Sequence, residues 1–178
     1  MYPQPYLDYL VQFHAERDYF ECHEILEEYW KSFPSERRNP VWVGLIQIAV
    51  ALYHQRRGNQ GGADKMLTSA IRLLKQRELD IQQLGLDSAA LIDLLEKRLE
   101  EIKAKVAYHS LTLPIQDEAL RKAYEHACAQ RKAPTHRESD MNDHYLLNKH
   151  TLRDRSEVFA ERQRQIDLRK ERREQRDH

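Results

Sequence analysis

Glycine is scarce in this chain, at five of 178 residues, and no β-branched run is long. That speaks against a turn-rich sheet protein. Leu, Ala, Glu, Gln, Lys and Arg dominate instead, which favours an all-α protein. The only two cysteines, Cys22 and Cys128, offer neither a disulfide framework nor metal-ligand spacing, so a reducing, cytoplasmic setting is expected. Net charge is also lacking: 29 basic residues balance 29 acidic ones, leaving no global attraction to nucleic acid or to an acidic membrane. The longest apolar run, Val41 to Tyr53, is interrupted by Gln47 and is too short to span a bilayer. The start, Met1-Tyr-Pro-Gln-Pro-Tyr6, has neither the basic residues nor the apolar core of a signal peptide. Phosphate loops, dinucleotide fingerprints and a cysteine nucleophile in a recognisable setting are missing as well.

What the chain does contain is a dense stretch from Asp18 to Trp30, where acids, a histidine and large rings crowd together. Asp18 followed by Glu21 resembles a capping box, so a helix is expected from about Tyr19 to Lys31. At about 100° per residue, Tyr19, Cys22, Leu26, Tyr29 and Trp30 share a core-facing stripe. Glu21, Glu24 and Glu28 fall toward water. His23 and Glu27 lie at the border, one turn apart, where a polar group is partly dry yet accessible. Their simplest role is to hydrogen-bond each other.

The remaining pattern reads as further helices. One runs from about Pro5 to Glu16. A second, from Pro40 to about Arg57, is apolar all round and is expected at the centre of the fold. Gly44, Gln47, Ala51 and His54 share one of its stripes, and a buried amide or imidazole there needs a partner. Gly58-Asn-Gln-Gly-Gly62 is the strongest turn signal, with a helix from about Ala63 to Arg77 after it. Others are expected from Asp87 or Ser88 to about Tyr108, and from Asp117 to a point before Pro134. Leu111 to Ile115 should be extended. The expected architecture is a compact bundle of antiparallel helical hairpins over residues 1–133, with a charged helical or disordered extension over 134–178.

Two segments together resemble a known family. Arg17 to Trp30, and Trp42 to His54 followed by Arg57-Gly-Asn59 and Gly62-Ala63, look like the signature of the bacterial and archaeal domain of unknown function 309 (DUF309). The longer Bacillus-type members also carry a Leu-Pro-Ile segment like Leu113 to Ile115. The resemblance covers roughly residues 5–116. It implies a compact helical fold and no assigned activity. The family's recurring polar positions map onto His23, Glu24, Glu27, Gln47 and His54.

Three functional readings follow. The first is a binding or scaffold module for a protein or peptide partner, with the polar cluster as its binding site. The second is a divalent-metal site with His23, Glu27 and His54 as ligands and Glu24 as a general base, which would make a metal-dependent hydrolase. His23-Glu-x-x-Glu27 lacks the second histidine of a zinc-protease helix. The third is nucleic-acid association through Arg162, Arg164, Arg169, Lys170, Arg172, Arg173 and Arg176, which neighbouring acids nearly cancel. A homo-oligomer is compatible with all three.

Overall fold

In the computed structural model, which describes residues 1–152, eight α-helices follow one another and the fold is all-α. They are α1 (Gln4–Val11), α2 (Tyr19–Lys31), α3 (Pro40–Arg56), α4 (Gln60–Leu74), α5 (Glu78–Gln83), α6 (Ser88–Lys103), α7 (Glu118–Gln130) and α8 (His144–Leu152). A π-helical turn, Gln12–Glu16, extends α1. Among the described residues there is no strand, only an isolated bridge between Leu86 and Ile115. None of their helices is long and apolar enough to cross a membrane.

The central helix is α3, as its composition demands. Pro40 occupies its first turn, the Asn39 side chain caps it by accepting from the Val41 N–H, and Leu45, Ile48 and Leu52 are fully buried. It packs against α2 on one side and α4 on the other. Tyr29 meets Trp42 and Phe20 meets Tyr53, so α2 runs antiparallel to α3. Gly44 lets Leu74 of α4 come so close that a Cβ would lie 2.5 Å from the Leu74 side chain. The phenols of Tyr6 and Tyr9 enter this core and donate to the carbonyls of Leu84 and Leu45, each at 3.0 Å. A buried hydroxyl needs such an acceptor.

Several helix ends differ from expectation. α4 begins at Gln60, not Ala63, because the Asn59 side chain caps it by accepting from the Gly62 N–H at 2.9 Å. Gly61 and Gly62 are therefore helical. Gly62 is small for a packing reason, since a Cβ there would lie 2.9 Å from the His54 ring. The short α5 was not anticipated, as six residues carry too little periodicity to be seen. α6 stops at Lys103, and Lys105 follows with a left-handed φ of 56°.

α8 is interrupted at Asn148, whose φ of −122° is not helical, and the chain divides into two compact units, Met1–Leu147 and Asn148–His178. Residues 134–147 belong to the first unit because the core uses their backbone. The Arg137 N–H donates to the His14 carbonyl at 3.0 Å, and the Arg17 guanidinium donates to the Arg137 carbonyl at 2.6 Å. In the second unit, Thr151 Oγ1 donates to the Asn148 carbonyl at 2.8 Å. The arginines named for nucleic acid, Arg162 to Arg176, lie outside the described residues.

A chain ending at Ala133 loses an acceptor for a buried guanidinium, whereas one ending at Leu147 keeps it. The shorter chain should be less stable by about 3 kcal/mol or more in urea unfolding, or lose cooperativity. Equal midpoints for the two chains would show that residues 134–147 contribute nothing.

Candidate functional site

The α2 helix starts where expected, with the Asp18 side chain accepting from the Glu21 N–H at 3.0 Å. Tyr19, Cys22 and Leu26 are buried, while Tyr29 and Trp30 are half-buried against the core. Burial pushes the Cys22 thiol well above its ordinary pKa, so it is an inert core group. His23, Glu24 and Glu27 are half-buried at the border. Glu24, expected to face water, instead meets His23: its Oε1 lies 3.0 Å from His23 Nδ1. Glu27 pairs with Lys31, not with His23, at 3.0 Å. Even so, ligand atoms of His23, Glu24 and Glu27 all lie within 4.8 Å of one another.

Hydrogen bonding determines what each ring can do. A carboxylate only accepts, so in neutral His23 the proton sits on Nδ1 facing Glu24, and Nε2 keeps its lone pair. That is the tautomer of a metal-ligating histidine oriented by a carboxylate. His54 is the reverse. Asn59 Oδ1 accepts from the Gly62 N–H, which turns the amide so that Nδ2 donates to His54 Nδ1 at 3.1 Å. Nδ1 is thus an acceptor, and neutral His54 carries its proton on Nε2. Burial, and then the charge of Arg57, lower the His54 pKa and favour this neutral donor form. His54 accordingly offers an N–H and not a metal lone pair.

The five polar positions fall into separate settings. His23, Glu24 and Glu27 come together. His54 is taken by the first turn of α4. The half-buried Gln47 makes no side-chain hydrogen bond among the described residues, and its Oε1 is buried without a partner. Gln47 and His54 share the half-buried stripe of α3 with Val43 and Val50.

A second polar system was not legible in the sequence. Arg17, Arg56 and Arg98 are 0%, 4% and 3% exposed. Arg17 donates to the carbonyls of Phe13, Leu111 and Arg137 and contacts His136 Nδ1 at 3.2 Å. Arg56 donates to the Arg17 carbonyl at 2.7 Å and lies 4.7 Å from the centre of the Tyr19 ring. Tyr19, Tyr108 and Ser139 form a hydroxyl chain with 2.7 Å steps beside it. Burial, and then Tyr108, raise the Tyr19 pKa well above its ordinary value, so the Tyr19 hydroxyl keeps its proton. Arg98 bridges Glu101, Gln55 and the His109 carbonyl. Among the described residues no carboxylate lies within 4.0 Å of Arg17 or Arg56. The sequence signal pointed the other way: Arg17 sits at a helix break and Arg56 at a helix end, both ordinary places for a solvated cation.

His14 is buried beside Arg17. Burial first, then the charges of Arg17 and His136, lower its pKa to about 3. The unfolded ring titrates near 6.5, so its contribution to stability is complete above that pH and is lost as pH falls toward about 3. Urea midpoints should therefore drop below pH 6.5, with His14 supplying up to about 1.4 kcal/mol per pH unit. His14→Gln should flatten that slope. An unchanged slope would place the titration elsewhere.

Known proteins share these segments. The family model described as "Domain of unknown function (DUF309)" matches residues 6–66, which contain all five cluster residues. The uncharacterized protein YpuF of Bacillus subtilis is 48% identical over 170 residues, covering 96% of this chain and 98% of its own. An uncharacterized protein of Aquifex aeolicus is 44% identical over 48 residues, 26% of this chain and 14% of that protein. No solved structure matches.

Proposed function

The chain belongs to the DUF309 family, and we propose that it acts as a helical binding module whose protein or peptide partner engages the polar strip of α2 and α3. The observation that carries this reading is the pair on α3. His54 is held as a donor by Asn59, and Gln47 Oε1 is a buried acceptor without a partner. An N–H and a C=O of a partner backbone satisfy both groups. Glu27 and Glu28 next to the strip add negative charge, which suits a partner with basic flanks.

Panning a displayed-peptide library against the purified full chain tests this. Peptides that bind the wild type should lose roughly tenfold or more in affinity for the Gln47→Leu/His54→Phe double variant, the worth of one or two buried hydrogen bonds. Selected peptides that bind the double variant equally well would overturn the reading.

A second reading rests on a different observation. His23 Nε2 keeps its lone pair while the Glu24 and Glu27 carboxylates lie within reach of a shared ion. Here zinc, manganese or iron(II) is held by His23 and Glu27, with Glu24 orienting the ring. His54, a donor, stands outside this ligand set. Calorimetric titration of untagged full chain with zinc should give a single site that His23→Ala removes. Absence of saturable heat at micromolar to millimolar zinc would sink it.

A further inference from the structure

The π turn that carries His14 borders a cavity whose lining includes no residue of α2 or α3. About 380 Å³ lies between this turn, the segment 111–115 and α7. Leu113, Pro114 and Ile115 make one wall, and Tyr124, whose hydroxyl donates to the Thr135 carbonyl, makes another. π-helical turns recur at functional sites because the wider turn re-aims a side chain. Here that side chain is His14, which is 1% exposed yet lines the cavity.

The hydrogen bonding of His14 leaves one group unused. Its Nε2 accepts from the Leu113 N–H at 3.0 Å. A buried neutral ring must then carry its proton on Nδ1. That Nδ1–H has no acceptor among the described residues. Nδ1 is not among the fully covered polar atoms that lack a partner, so its N–H opens to the cavity, where a ligand acceptor can take it.

The surroundings select an anion. The Arg17 guanidinium stands behind the cavity on His136, with carbonyls but no carboxylate within 4.0 Å among the described residues. Arg121 stands at the rim, donating to the Ile115 carbonyl at 2.9 Å and meeting Glu118 at 3.4 Å. Glu125 also lines the cavity and disfavours a second negative charge. The apolar wall suits a hydrocarbon body and not a fully hydrated phosphate.

We propose that this cavity binds a monocarboxylate with a short apolar body, its carboxylate held by His14 Nδ1–H and Arg121 and its body against Leu113 to Ile115. Two sources share that chemistry: a free organic acid and the terminal carboxylate of a peptide.

The test uses the full chain and nitrogen-resolved NMR of the histidine rings. Phenylacetate should shift the His14 ring signals saturably, with a Kd on the order of 1 mM for a fragment with one charged anchor. Phenylacetamide should not. A tripeptide ending in phenylalanine, free or amidated at its C-terminus, distinguishes the two sources. If the free-acid tripeptide binds far more tightly than phenylacetate and the amide does not bind, the source is a peptide terminus. His14→Leu removes the Nδ1 donor, so affinity, read at the His136 ring that also lines the cavity, should fall roughly tenfold or more. Should that variant not fold, Arg121→Gln on the exposed rim decides the matter through a similar loss. No saturable shift with any carboxylate, or a shift unaltered in the folded variants, overturns the proposal.

Discussion

The guanidinium of Arg17 is wholly buried, and the way its charge is accommodated organises much of the first unit. Water is replaced by the carbonyls of Phe13, Leu111 and Arg137 and by the His136 ring, which come from three separate places in the chain. A cation held by neutral dipoles is stable only if every donor finds one, so each of these segments is constrained by the same group. Arg17 itself takes a left-handed φ of 58°, which ends the π turn and delivers Asp18 to cap α2. The backbone strain of a non-glycine residue in that region, about 1–3 kcal/mol, persists because the surrounding bonds over-determine it.

Helix α3 joins this network to the polar strip. Near its C-terminus Arg56 accepts a place against the Tyr19 ring and donates to the Arg17 carbonyl. Two residues earlier, His54 leaves the core side and meets Asn59 at the start of α4. One helix thus carries a buried cation on one face and a half-buried imidazole on another.

Three histidines illustrate how a second ring nitrogen determines the use of the first. Leu113 leaves His14 with a proton on Nδ1, Glu24 leaves His23 with a lone pair on Nε2, and Asn59 leaves His54 with a proton on Nε2. The same residue type thus presents a donor on Nδ1, a lone pair on Nε2 and a donor on Nε2. Neither spacing nor local composition distinguishes these roles, because each depends on one hydrogen bond.

Local rules were enough to read the helical class, the central place of α3, the cap at Asp18 and the border position of His23 and Glu27. Hydrophobic periodicity, Pro40, Asp18 and Gly58 act within a turn or two of themselves, so the chain determines their effect before it folds. The pairing of His23 with Glu24, the diversion of His54 to Asn59, the burial of three arginines and the docking of residues 134–147 were decided only by the tertiary structure. Each brings together groups far apart in sequence or chooses between equivalent neighbours. A guanidinium meets the carbonyls of Leu111 and Arg137 only once packing has placed them around it. Charge and polarity in the sequence mark a residue for water. Only the fold can supply enough dipoles to take the place of that water.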